Sequence, residues 1–204
     1  MKFNVALSVV LSAGLTLACT SAAAQSIDDL LKPCVSCHGM DGVGSTPKTP
    51  FLNWQLPSYL KEVMENMQAG VHPTAVPKHI PASITKDQIK IIADHYAANR
   101  TPREKQPFDE AKAAAGEKVY EKRCMDCHPD NARETNDRGS PILAGQPAEY
   151  ILAQERLYMS GKRKFSSKSD TAHAGMTDAD LEAVSHFYAS QDVQAPQQKK
   201  KKRR

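Results

Sequence analysis

Long hydrophobic runs are scarce in this 204-residue sequence: one apolar stretch, Phe3 to Ala18, opens it, and no second one follows. That stretch is too short and too rich in small residues to favour a membrane span. Set between Met1-Lys2 and Ser21-Ala22-Ala23-Ala24-Gln25, it reads as a signal peptide occupying residues 1–24. Cys19 lacks the aliphatic residue expected three places upstream of a lipidated cysteine, where Thr16 stands, so an exported, soluble mature chain is expected. Also lacking are any strand-like alternation, any Gly-x-Gly-x-x-Gly with a βαβ setting, any nucleophile triad and any carboxylate pair. These absences exclude a nucleotide- or flavin-binding domain on this chain and give no handle for hydrolytic chemistry. Positive charge is scarcer than the net +4 suggests. The last six residues, Lys199 to Arg204, carry +6, and without them and Lys2 the body is at about −3. A nucleic-acid-binding reading therefore fails.

Cysteine is limited to five residues, one of them in the leader, and the remaining four fall into two pairs. Each pair sits in the same pentapeptide form, Cys34-Val35-Ser36-Cys37-His38 and Cys124-Met125-Asp126-Cys127-His128. C-x-x-C-H is the signature of covalent haem attachment. Positions i and i+3 share one face of a helical turn, so Cys34 and Cys37, like Cys124 and Cys127, can reach the two vinyl groups of one porphyrin. His38 and His128 then turn an imidazole to each iron. A zinc ribbon normally spaces its two Cys pairs some 15 to 20 residues apart, far less than here, and does not explain the histidines. A disulfide within C-x-x-C would be a redox bond in a thioredoxin-like setting that the sequence does not show. Two covalently bound haem c groups are therefore expected.

Laying the two halves together reveals a duplication. Leu52-Asn53-Trp54-Gln55 aligns with Leu143-Ala144-Gly145-Gln146, Tyr59 with Tyr150, Gly70 with Gly161, and Tyr96 with Tyr188. Within each half the pattern is helical. Ser26 to Pro33 and Ala111 to Arg123 lead into the haem motifs, while Pro57 to Gln68 and Pro147 to Ser160 open on prolines suited to a first turn. Thr85 and Thr177 read as N-caps of the final helices, which end near Ala98 and Ser190. The apolar stripes Ile89, Ile92, Ala93, Tyr96 and Leu181, Val184, Tyr188 are expected to pack the first helix of each half against the last. The resulting layout is one domain at 25–98, a charged, Pro-bearing linker at 99–107, a second domain at 108–192, and a basic tail at 193–204 expected to be disordered. The tail is either solubilising or a docking element for an acidic redox partner or anionic lipid.

Both C-x-x-C-H sites, the Pro141-Ile142-Leu143-Ala144-Gly145-Gln146 stretch with Tyr150, and the repeated helix ending Phe187-Tyr188-Ala189-Ser190 resemble the diheme class I cytochromes c of the bacterial periplasm. The resemblance implies an all-α fold of two tandem class I cytochrome c domains, a periplasmic location and electron transfer. Pro107-Phe108-Asp109-Glu110-Ala111-Lys112 and the approach to Cys124, together with Pro129 after His128, look like the cytochrome subunit of flavocytochrome c sulfide dehydrogenase. That subunit accepts electrons from a separate flavoprotein that oxidises sulfide. The alternative is a free diheme carrier delivering electrons to a terminal oxidase.

In this family the sixth iron ligand is commonly a Met in the loop before the last helix. The first half reads Val76-Pro77-Lys78-His79 there, which leaves His79 as the expected ligand, with His72 behind it. The second half offers Met176, with His173 as the alternative, although the repeat places Met176 opposite Ile84, a position expected to be core. A His/His iron and a His/Met iron would differ in potential, the first being lower. Trp54, Tyr59 and Tyr150 are expected to line a haem pocket or the interdomain face, and His95 and His186 to be surface or packing residues.

Overall fold

The computed structural model describes residues 26–136, 139–164 and 171–193. The leader, the end of the C-terminal tail and Cys19 lie outside the described residues. The first half contains α1 (Ile27–Leu31), α2 (Val35–His38), α3 (Pro57–Gln68) and α4 (Lys86–Ala98). The second contains α5 (Glu110–Arg123), α6 (Pro129–Ala132), α7 (Ala148–Met159) and α8 (Asp178–Ser190). Among the described residues there is no strand, and no helix is long and apolar enough to cross a membrane.

Local chemistry sets where the last helices begin. Thr85 Oγ1 accepts from the Gln88 N–H while Gln88 Oε1 accepts from the Thr85 N–H, at 3.2 and 2.8 Å. Thr177 and Asp180 repeat the exchange at 3.2 and 2.8 Å. Two otherwise orphaned amides are satisfied at each start. The apolar stripes then build one core per half. Leu30, Leu31 and Leu60 meet Ile92, Ala93 and Tyr96 in the first; Tyr120 and Ile151 meet Val184, Phe187 and Tyr188 in the second.

The halves are not equal copies. α5 runs fourteen residues along α8, while α1 has five residues to offer α4. The α5/α8 crossing is tight because residue 116 has no side chain: a Cβ there would lie 2.1 Å from the Ala183 carbonyl oxygen. α6 is helical only in its hydrogen bonding, since Asp130, Asn131 and Ala132 all have positive φ. Pro129 thus diverts the chain into a left-handed turn directly after the second haem motif.

The halves join through a pseudo-symmetric exchange. The Gln55 side chain donates from Nε2 to the Ile142 carbonyl and accepts at Oε1 from the Ile142 N–H, both at 3.0 Å. Gln146 does the same to Phe51, at 2.8 and 2.9 Å. Gln55 and Gln146, like Phe51 and Ile142, are repeat equivalents, 91 positions apart. The linker seals the seam. Arg103 is half-buried, donates to Asn53 Oδ1 (2.9 Å), the Ala144 carbonyl (3.0 Å) and the Asn53 carbonyl, and lies over the Phe51 ring. Burial lowers its pKa to about 9, which still leaves a cation at neutral pH. Thr101 contributes its carbonyl to Asn53 Nδ2 and Trp54 Nε1, at 2.8 and 3.1 Å.

Two substitutions test this architecture. Gly116→Ala should destabilise the second domain by about 1–3 kcal/mol through overpacking, read by denaturant unfolding; a change within error would mean that α5 and α8 can slide apart freely. Gln146→Ala strands the buried N–H and C=O of Phe51, costing about 1–3 kcal/mol for each unsatisfied group. It should also speed proteolysis within 99–107, whereas an unchanged cleavage rate would show that the seam does not depend on this exchange.

Candidate haem sites

Each C-x-x-C-H segment forms a tight turn closed by backbone bonds from Cys37 N–H and His38 N–H to the Cys34 carbonyl (3.2 and 3.0 Å), and from Cys127 N–H and His128 N–H to the Cys124 carbonyl (3.0 and 2.9 Å). The turn brings the two thiols of each pair to one side. All four are free thiols, so neither pair is a disulfide. Burial pushes the Cys34 thiol up, and the Cys124 thiol to about 11. Such surroundings penalise a thiolate and suit a neutral thioether. Among the described residues no three His, Cys, Asp or Glu side chains converge as a metal-binding group, so neither pair has the four-ligand shell of a zinc ribbon.

The imidazoles are oriented alike. His38 donates from Nδ1 to the Pro50 carbonyl at 3.1 Å, and His128 from Nδ1 to the Pro141 carbonyl at 3.0 Å. That bond fixes the tautomer with an unprotonated Nε2, the form in which imidazole binds a metal. Burial reinforces it by lowering the pKa of both rings, to about 4 for His38. Tyrosines brace the end of each motif: Tyr96 donates its hydroxyl to the Gly39 carbonyl at 3.1 Å, and Tyr120 to the His128 carbonyl at 2.6 Å.

Opposite His38 stands His79, ring centres 6.0 Å apart and planes at 79°. Rings at that separation are candidates that would together hold one iron. His79 is also kept neutral by burial. His72 lies elsewhere, buried and 3.2 Å from Gln154 Oε1 across the domain boundary. In the second half a cavity is lined by Cys124, Cys127, His128, Val184 and Tyr188, with both His173 and Met176 on its wall. His173 Nε2 is 2.9 Å from Glu155 Oε2. Met176 packs on the second core where Ile84 packs on the first.

The remaining residues sort cleanly. Trp54 and Tyr59 belong to the interdomain face, the first against the linker and under Arg100, the second beside Arg163. His95 donates to the Met40 carbonyl at 2.8 Å, and His186 Nδ1 accepts from the Asp109 N–H at 3.0 Å, so both are packing groups. Sequence reading did not assign Gln55, Gln146, Arg103 or Arg163. For the glutamines the signal was present, because they coincide when the repeat is aligned; for the arginines there was none.

Free thiols, neutral imidazoles with Nε2 available and a cavity beside the second motif all fit haem. Residues 113–192 match the cytochrome c family. The thiosulfate dehydrogenase electron acceptor of Thiomonas intermedia (strain K12) is 28% identical over 172 residues, 78% of this chain and 79% of that protein. Cytochrome c4 of Stutzerimonas stutzeri is 27% identical over 208 residues, 90% of this chain and 97% of that protein. The crystal structure of reduced recombinant cytochrome c4 from Pseudomonas stutzeri superposes with a TM-score of 0.69 at 25% identity, covering 79% of this chain and 94% of that one. The fold is thus a pair of tandem class I cytochrome c domains. The protein is a diheme cytochrome c electron carrier with two covalently bound haem c groups.

Replacing Cys124 and Cys127 together by Ala should halve the haem count in a pyridine haemochrome assay, from two per chain to one. Retention of two covalent haems would dismiss the second motif as an attachment site.

Proposed function

We propose that Cys34 and Cys37 anchor one haem, Cys124 and Cys127 the other, and that the carrier serves the bacterial periplasm with two unequal iron sites. The observation that carries this is the His38/His79 pair, set 6.0 Å apart across the first site. Bound haem supplies reversible one-electron exchange at iron. The chain holds the first iron between His38 and His79. It holds the second between His128 and Met176. In favour of Met176, His173 already has Nε2 against the Glu155 carboxylate, while the thioether lies on the cavity wall. A second reading, His128 with His173, is favoured by the place of Met176 in the core position equivalent to Ile84. A His/Met site has the higher potential of the two types, because the thioether raises it.

The donor we propose is an oxidoreductase on a separate chain that oxidises an inorganic sulfur compound. The Thiomonas relative is named for accepting electrons from thiosulfate dehydrogenase. The join at 107–123 resembles the cytochrome subunit of flavocytochrome c sulfide dehydrogenase, whose donor is a flavoprotein. A flavoprotein that follows this chain through purification supports that subunit role; isolation as a lone chain, delivering electrons to a terminal oxidase, supports the free carrier. Docking through the basic tail would show as reduction rates that fall with added salt, an effect lost on deleting Lys199 to Arg204.

The ligand assignment has its own test. The red-edge absorption that reports thioether bound to ferric iron should account for one haem. Met176→Ala should abolish it, while His79→Ala should leave it intact and open the first iron to external ligands. Absence of the band in the native protein would replace Met176 by His173.

A further inference from the structure

The wall of the second site differs from its counterpart in the first by three changes that belong together. The repeat sets Met64 against Glu155, Pro81 against His173 and Ile84 against Met176. Met64 and Ile84 pack on the apolar core of the first half. Glu155, His173 and Met176 all line the cavity beside Cys124, Cys127 and His128. Where the first copy has two apolar side chains and a proline, the second has a carboxylate, an imidazole and a thioether.

His173 and Met176 are the first and last residues of one turn. The Met176 N–H donates to the His173 carbonyl at 3.0 Å, and Gly175 has a φ of 75°. The ends of such a turn stand within about 7 Å of each other, so both side chains reach the same wall of the cavity. A proximal imidazole leaves one axial position, and only one of the two can take it. The turn is pinned from the attachment motif. Arg123, next to Cys124, donates to the carbonyls of Ala172 and Ala174 at 3.3 and 2.9 Å, one on each side of His173. The imidazole is tied as well. His173 Nε2 stands 2.9 Å from Glu155 Oε2, with the side chains only 18% and 14% exposed. Among the described residues no hydrogen bond reaches that buried oxygen from elsewhere. A carboxylate beside Nε2 draws the ring hydrogen to that nitrogen, and a nitrogen that carries hydrogen does not bind a metal. His38 and His128 show the opposite arrangement, with Nδ1 engaged and Nε2 left open.

We propose that Glu155 is the positioning residue that selects Met176 over His173 at the second site. By engaging Nε2 of His173, it leaves the thioether to face His128 from the other end of the turn. This rests on the reading of Met176 as the ligand and supplies its cause. The two histidine-bearing loops then differ in one respect: His79 has no such carboxylate at the position of Glu155, where the first copy has Met64. Without the Glu155 carboxylate, the second site would pair His128 with His173 as the first pairs His38 with His79, and the two sites would become alike.

The test uses the full diheme protein and its variants. Native protein should show the thioether-to-ferric-iron band for one haem. In Glu155→Ala that band should be mostly lost and replaced by the near-infrared magnetic circular dichroism of a second bis-imidazole iron, and the potential of one haem should fall toward that of the other. Glu155→Gln, which keeps an oxygen able to accept from Nε2, should retain the band. Adding His173→Ala to Glu155→Ala should restore it, which a merely structural role for Glu155 would not do. A full band in Glu155→Ala, with two haems counted per chain, would overturn the selection while leaving Met176 as the ligand. So would a band that is lost in Glu155→Ala and does not return in the double variant. No thioether band in the native protein would instead bring down the Met176 reading, and the selection with it.

Discussion

The hydrogen bond from the imidazole of each C-x-x-C-H motif to a proline carbonyl is the constraint on which this structure turns. It fixes the tautomer of His38 and His128 with Nε2 unprotonated, while burial keeps both rings neutral. The segment that supplies it also builds the interface. Pro50 orients His38, the next residue, Phe51, is gripped by Gln146, and Gln55 reaches back to Ile142. Site geometry and domain docking are thus written in one stretch of six residues, used twice. A shift of the interface would pull on the imidazole through a single peptide unit.

The duplication has been spent unevenly. The second domain has the long α5 and the close Gly116 crossing, and a core that stacks Tyr120 on Phe187 at 4.8 Å. The first has a five-residue α1 and depends more on what lies beside it: the linker, the second domain and its cofactor. Arg103 illustrates the dependence, since a charge from the linker is held by carbonyls of both halves. A half-buried arginine with such partners is costly to disrupt, which suits a seam that must close in one geometry.

Much of this was legible in the sequence. The pentapeptides defined the turns at Cys34 and Cys124, the opening prolines placed α3 and α7, the run into the second motif placed α5, and the threonine caps and apolar stripes placed α4 and α8, each within a residue or two of where it lies. Capping and periodicity are local, so local reading reaches them. The interface was less legible, because Gln55 grips a backbone unit 87 residues away and backbone groups carry no sequence signature. The loop position ranked His79 ahead of His72 but could not place either ring. Only the folded chain puts one ring opposite His38 and the other against Gln154. The left-handed turn after His128 was not read from the sequence: three consecutive positive φ angles in Asp, Asn and Ala are a tertiary outcome that propensity would not choose.

The glutamine exchange also sets how such a duplicated gene is free to drift. Each amide reads a peptide bond and not a side chain, so the gripped positions can diverge without loosening the grip, and they have: one is Phe51, the other Ile142. The gripping positions have no such latitude. A change at Gln55 or Gln146 cannot be repaired by a compensating side chain at its partner, since the partner contributes only backbone. Two copies joined in this way can become chemically different at their irons while remaining bound to the same two letters at their seam.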